Sequence, residues 1–282
     1  MRKRRRQKIV RRTSAPAASP AALSSSLESL YKVAIVPAKD EAETVGDVVK
    51  SLLAVPVDEV IVVANGCTDN TAEVAEAAGA RVLGVSDPLG HDVGRAMGAA
   101  FVDADLYLFT DADIVLPPSF FIPFLNAVAD GVDVALNDLE SIATRRSRSH
   151  VVNVSKRFLN TAMGLGQLGI NSMTAIPHCL SRRAVKMIGS QNLAVPPRAM
   201  VLARQAGLKI KAVSSINVNS RNRVRPRVHR PGLGPMDELI IGDHLEALSI
   251  LLREDGPRGA FQDENRDRRS LNKCSLLEFL RF

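Results

Sequence analysis

The chain has 282 residues, 46% hydrophobic and 24% charged, a size and balance that fit one large or two small globular domains and exclude a wholly disordered chain. It contains no run of 18 apolar residues, which rules out a membrane-spanning helix. Its three scattered cysteines, Cys67, Cys179 and Cys274, form neither a disulfide framework nor a CxxC metal site and suit a reducing compartment.

The net charge of +7 is unevenly placed: residues 1–12 carry eight Arg or Lys and no acid, and between Ser141 and Met236 there are 17 Arg or Lys and not one Asp or Glu. The basic head runs into an Ala/Ser/Pro-rich stretch with no periodic apolar positions, so residues 1–30 read as a disordered tail. No apolar stretch of signal-peptide length follows the basic head. The expected location is therefore cytoplasmic, with residues 1–12 available to an anionic membrane surface.

From residue 31 the punctuation becomes regular. Residues 32–36 (KVAIV) predict a fully apolar strand. Residues 44–53 have helical spacing, 59–63 (EVIVV) form a second strand, and 71–78 an Ala/Glu-rich helix closed by Gly79. A third strand at 81–85, a helix at 93–101 and a fourth strand at 106–110 (LYLFT) complete the regular part. Alternating strands and helices with short loops predict an α/β fold, a mostly parallel central sheet flanked by helices. Beyond Gly131 a strand at 132–136, helices at 151–164 and 199–206, a strand at 209–213 and a helix at 245–252 are expected. The domain reading is a catalytic body over 31–245, divided at about 130, followed by a C-terminal helix and tail over 246–282.

Asp111-Ala-Asp113 comes directly after the fourth strand. In an open α/β sheet ligands bind outside the carboxyl ends of strands, so these carboxylates would stand at the binding edge and could share a divalent cation beside a diphosphate. Asp103-Ala-Asp105 has the same spacing but precedes the strand, on the opposite edge. Asn65-Gly66-Cys67-Thr68-Asp69-Asn70-Thr71 follows the second strand and opens a helix, where small residues let a ligand approach backbone amides; the same residues also suit a plain turn and helix cap. His178 and Cys179 have no acid nearby to orient a nucleophilic site, so packing is their expected role. Asp92 reads as a helix N-cap.

Taken together, VAIVPAKDE, VIVVANGCTDNT, Gly94-Arg-Ala-Met-Gly98 and LFTDAD resemble the family 2 glycosyltransferases, in that family's order and across about residues 31–130. The resemblance implies the GT-A nucleotide-diphospho-sugar-binding fold and a hexosyltransferase activity. It implies that Pro37, Ala38 and Glu41 line the nucleotide pocket, that Asn65 and Gly66 lie by the base, that Arg95 reaches the phosphates, and that Asp111 and Asp113 bind ribose and a Mg²⁺ or Mn²⁺ diphosphate. Two departures stand out. Many members place an acid where this chain has Ala64. Inverting members also place a catalytic acidic pair where residues 192–198 (NLAVPPR) hold none, although an acceptor hydroxyl needs help to lose its proton.

Near the end, Arg225-Pro-Arg-Val-His229-Arg230 followed by Pro235-Met-Asp-Glu-Leu239 resembles an element of the retaining glucosyl- and mannosyl-3-phosphoglycerate synthases. That resemblance implies His229 as a further metal ligand and a retaining reaction in which the donor phosphate serves as base. Arg225, Arg227 and Arg230, which alternate with other residues in the acid-free region, are the candidate grip on an anionic acceptor: a phosphorylated small molecule, a lipid phosphate or an acidic polymer. Nucleic acid is disfavoured, because the Arg-rich stretch has no interleaved aromatics. The resulting expectation is metal-dependent sugar transfer from a nucleotide-diphospho-sugar to an anionic acceptor. Its alternatives are a catalytically degenerate domain binding glycans or membranes, and a nucleotidyltransferase. The loop after the first strand, lacking a glycine before Gly46, disfavours the last.

Overall fold

The computed structural model of the chain describes residues 23–218, 233–264 and 266. Residues 1–12, the segment that carries Arg225, Arg227, His229 and Arg230, and the end of the C-terminal tail lie outside the described residues. Among the described residues no helix is long and apolar enough to cross a membrane.

Seven strands form one sheet: β1 (Lys32–Ala38), β2 (Glu59–Asn65), β3 (Arg81–Val85), β4 (Leu106–Phe109), β5 (Val134–Asn137), β6 (His178–Ser181) and β7 (Ile210–Ser214), in the order β3-β2-β1-β4-β6-β5-β7. β1 pairs parallel with β2 and β4, β2 with β3, and β5 with β7, while β6 runs antiparallel between β4 and β5. The layered, mostly parallel α/β sheet read from the sequence is present. The antiparallel β6 is an addition: its four residues, HCLS, carry too little periodicity to announce a strand and are ordered by pairing Cys179 with Leu108 and Ala135.

Both faces of the sheet are covered. Val33 and Ile35 of β1, Ile61 and Val63 of β2 and Tyr107 and Phe109 of β4 point to one core, shared with α3 (Val93–Phe101), α6 (Val151–Ala162), α7 (Arg182–Ile188), α8 (Pro196–Gln205) and α9 (Pro235–Asp255). Ala34, Val36, Val60, Val62, Leu106 and Leu108 point to the other, under α1 (Val45–Leu53), α2 (Thr71–Ala77) and α4 (Ile122–Ala129). A short α5 (Arg145–Arg148) precedes α6. Burial on both faces is why the central strands read as unbroken apolar runs rather than alternating ones.

α9 begins at Pro235, well before the helix expected at residue 245, so the expected boundary at 245 falls inside it. Pro235 at the first position and Asp237 and Glu238 in the first turn are start signals. The decoy carboxylates are used structurally. Asp105 accepts from the Tyr31 amide at 2.8 Å, and Asp103 and Asp105 both hold Arg182, at 3.2 and 3.3 Å.

The glycines of the GRAMG segment set how closely α3 lies on β1. A Cβ on Gly94 would stand 2.9 Å from the Pro37 side chain, and one on Gly98 would stand 2.5 Å from Ile35 Cγ2. Gly98→Ala is therefore expected to lower the unfolding free energy by about 1–3 kcal/mol, even though alanine is the better helix former by about 1 kcal/mol. Gly84→Ala, where nothing lies within 4 Å of the added carbon, should change it by no more than about 0.5 kcal/mol. Chemical denaturation of both variants checks the pair.

Candidate functional site

β1 lies between β2 and β4, so the strand order reverses direction there, and the carboxyl ends of β1 and β4 open a crevice. Just past β4 the chain keeps its in-out alternation. Thr110 and Ala112 are buried, whereas Asp111 and Asp113 are partly exposed at the edge.

Asp111 is held from below. Arg95 on α3 is 4% exposed and donates from Nη2 to Asp111 Oδ1 at 2.8 Å, while its Nη1 lies 2.7 Å from Asp92 Oδ1. Burial pulls the Arg95 pKa down, but the two carboxylates outweigh it and the net shift is upward, so the guanidinium stays charged. Asp92 takes a left-handed backbone conformation at the start of α3 and makes no side-chain cap. Asp92 is the N-cap residue as expected, but its carboxylate is engaged by Arg95 rather than by a backbone amide. Arg95 itself, expected at the donor phosphates, is a buried support under Asp111. Asp111 Oδ2 accepts no hydrogen bond among the described residues, which leaves a hard oxygen of the kind a divalent cation takes.

The nucleotide candidates sit along the same edge. Pro37 and Ala38 end β1, paired with Val63 and Ala64 of β2. The Glu41 amide donates to Thr71 Oγ1 at 2.8 Å. Asn65 is buried and both ends of its amide are used: Nδ2 donates to Gly90 O at 2.9 Å and Oδ1 accepts from the Leu89 amide at 2.8 Å. Its side chain ties down a loop, a role that an Asn at a strand end does not announce. Gly66 has φ +66°, and a Cβ there would stand 2.5 Å from Pro88 N, so the same loop requires glycine. Asp40, Cys67 and Asp69 bring ligand atoms within 4.8 Å of one another, but Asp40 already accepts from Thr68 N and Asp69 from Ala42 N and Thr71 N, stitching the β1 and β2 loops together.

Beyond Asp111 lies a cavity of about 450 Å³ whose lining includes Ile114, Thr144, Ser147, Asn153, Lys156 and Thr174. Asp111 is the only acidic side chain in its described lining. Lys156 was not among the residues singled out from the sequence. It is 8% exposed, and burial alone pushes its pKa down to about 8, a penalty on the charged form of about 3 kcal/mol. A signal was available: Val152, Lys156, Leu159 and Ala162 share the buried face of α6, so a lysine stands within an apolar stripe.

His178 has the packing role expected of it. Its ring stacks on Phe109 with centroids 4.9 Å apart, and Nδ1 lies 3.0 Å from Ala175 O. Burial, then the Arg95 charge, pushes its pKa down to about 3. At residues 192–198, where the acidic pair of inverting transferases is missing, Asn192 Nδ2 bonds Ile188 O and Arg198 pairs with Glu246 at 3.0 Å.

Comparison with known proteins agrees with this geometry. The family model for glycosyl transferase family 2 matches residues 33–186. Glucosyl-3-phosphoglycerate synthase of Mycolicibacterium paratuberculosis is 35% identical over 103 positions, covering 32% of this chain and 31% of that protein. The synthase of Mycolicibacterium smegmatis is 38% identical over 103 positions, covering 32% and 33%. The alignment thus spans about a third of the length of these curated relatives. Among solved structures, glucosyl-3-phosphoglycerate synthase of Mycobacterium tuberculosis with Mn²⁺, uridine-diphosphate-glucose and phosphoglyceric acid superposes with a TM-score of 0.60 at 21% identity, covering 89% of this chain and 87% of that one. Its complex with Mn²⁺, uridine diphosphate and glucosyl-3-phosphoglycerate gives 0.59 at 21% identity, covering 90% and 88%. At that identity the likeness establishes a shared fold.

Two outcomes follow from the buried charges. Arg95→Met leaves two carboxylates without their cation and should lower stability by about 3–5 kcal/mol, read by chemical denaturation. His178 should remain neutral through pH 5 in NMR titration. Below its ordinary pKa of 6.5 the unfolded chain takes up a proton that folded His178 refuses until about pH 3, so this group withdraws stability as pH falls through that window.

Proposed function

Because the chain belongs to glycosyl transferase family 2, we propose that it transfers a hexosyl group from a nucleoside-diphosphate sugar to a small phosphorylated acid with Mn²⁺ or Mg²⁺ bound. The observation that carries this reading is Asp111 at the switch point of the sheet, with Asp113 two residues further on, fixed by Arg95 and lining a cavity whose other described lining is free of acids. Uridine-diphosphate-glucose and phosphoglyceric acid, found with the solved structure of similar fold, define the donor and acceptor classes.

In this reading Pro37, Ala38, Glu41 and Gly66 line the nucleotide, and Asn65 and Arg95 act as positioning residues, one for the loop over the nucleotide and one for Asp111. Asp111 and Asp113 hold the cation, with His229 as the third ligand, and Arg225, Arg227 and Arg230 attract the acceptor. The two carboxylates are hard oxygen donors of the kind that Mg²⁺ and Mn²⁺ accept. When bound, the cation neutralises charge developing on the departing diphosphate. The chain's own share is orientation and charge. Arg95 prevents Asp111 from turning away, and no carboxylate stands at residues 192–198 to take the proton of the acceptor hydroxyl. Retention of the anomeric configuration accords with that missing base.

A second reading, a degenerate domain that binds a nucleotide sugar without turning it over, is favoured by Ala64 and by the same missing acids. Calorimetry with UDP-, GDP- and ADP-glucose, with and without Mn²⁺, separates the two when combined with product mass after incubation with phosphoglyceric acid. The transferase reading expects metal-dependent binding of one nucleotide class and a glycosylated acid. It also expects Asp113→Ala to weaken that binding by about 100-fold or more, equivalent to about 3 kcal/mol, in a protein that still folds. Binding without product favours the degenerate domain, and no nucleotide binding by the folded protein overturns both.

A further inference from the structure

Among the described residues, buried cations are matched to anions or carbonyls, with one departure. Lys32, 4% exposed, reaches Asp58 at 2.9 Å and the carbonyls of Leu27 and Leu30. Arg95 holds two carboxylates. Lys156 has neither a hydrogen bond nor an ion pair among the described residues, and burial is the sole influence on its proton affinity.

Two acids close to this half of the chain, Glu140 and Asp138, are already used, and the acid that shares the cavity, Asp111, is paired with Arg95. Glu140 accepts from Arg157 at 2.9 Å and pairs with Arg148 at 3.2 Å, and it also takes the Ile170 amide. Asp138 accepts from Asn171 Nδ2 and the Ser141 amide. His244 of α9 feels the Lys156 charge but offers it no anion: burial, against its bond to Ile240 O and with the Lys156 charge adding to it, pushes its pKa down to about 4, and its Nε2 is buried without a hydrogen-bond partner. An ammonium largely withdrawn from water with no counter-charge is unfavourable, and the cavity that Lys156 lines is where an anion could complete it.

A second unsatisfied polar group belongs to a residue of the same lining. The hydroxyl of Thr174 is buried and has no hydrogen-bond partner, and Thr174 and Lys156 both line the cavity of about 450 Å³ that also holds Asp111. That volume is within the ordinary range for a small-molecule site.

We propose that Lys156 and Thr174 together bind an oxyanion of the acceptor, phosphate or carboxylate, inside the cavity next to Asp111. This rests on the transferase reading and adds to it the residues that select a charged acceptor. The ammonium supplies the opposite charge and the hydroxyl a directed donor. Both become satisfied only when the anion is seated, so a neutral acceptor of the same size would leave a buried charge uncompensated. The arginines of the 225–230 segment then serve capture, and Lys156 serves selection.

The test uses the full chain. Calorimetry without nucleotide or metal measures phosphoglyceric acid, glycerol phosphate (phosphate only) and glyceric acid (carboxylate only) against wild type, Lys156→Met, Lys156→Arg and Thr174→Val. Lys156→Met should weaken phosphoglyceric acid by about 30-fold or more, Lys156→Arg should restore it to within about 5-fold, and Thr174→Val should weaken it by about 5-fold. Whichever single-anion probe loses affinity with Lys156→Met identifies the group held. Without ligand, Lys156→Met should melt no lower than wild type, since it removes an uncompensated charge; a purely structural lysine would give the opposite. Equal affinity in wild type and Lys156→Met, no affinity in wild type, or a lower melting temperature for Lys156→Met overturns the proposal. Binding of UDP with Mn²⁺ is measured on the same samples. Its absence in wild type overturns the donor reading by itself, while the anion titrations still judge Lys156.

Discussion

The site depends on one buried guanidinium. Arg95 is almost fully removed from water, and what keeps it charged is the simultaneous contact of Asp92 from its own helix and Asp111 from the end of β4. A buried ion pair is seldom a gain in stability over apolar packing. Its effect here is geometric: it joins α3 to the edge of the sheet and leaves Asp111 one oxygen committed and one available. The left-handed conformation of Asp92 is a local strain kept by that pairing.

Arg95 can reach Asp111 because α3 lies close against β1. Gly94 and Gly98, one turn apart, meet Pro37 and Ile35 where any side chain would collide. Sheet packing and site electrostatics are therefore one constraint. A wider spacing between helix and strand would carry the guanidinium away from the carboxylate. On the neighbouring strand Gly66 and Asn65 act similarly, letting the loop at residues 88–90 cross the end of β2 and fixing it there.

The second half of the protein contributes charge of the other sign. The acid-free run from Ser141 to Met236 does not produce a uniformly cationic surface, because many of its arginines are paired with acids from outside it. Arg157 and Arg148 pair with Glu140, Arg183 with Asp133, Arg182 with Asp103 and Asp105, and Arg198 with Glu246. What remains uncompensated in the described interior is Lys156, in a cavity that also has Asp111 in its lining. A carboxylate and an unpaired ammonium thus line one space.

The sequence by itself determined the α/β class, the positions of the first four strands and the standing of Asp111-Ala-Asp113 against its decoy, because apolar runs and their order along the chain are local properties that also say which edge a residue reaches. It determined the absence of a carboxylate at residues 192–198 as well. It did not reveal β6, whose four residues become a strand only through pairing with β4 and β5, nor the start of α9, whose capping signals looked like part of a binding element. Asn65 and Arg95 were placed at the right edge but in contact with ligand, whereas the fold turns both side chains inward. That choice depends on partners, Gly90 and Asp111, separated from them in sequence by 25 and 16 residues. Lys156 shows the same limit most clearly. Its place in an apolar stripe was visible, but only the tertiary structure decides whether a buried lysine meets an acid, a carbonyl or an open cavity, because that depends on which distant groups are already paired.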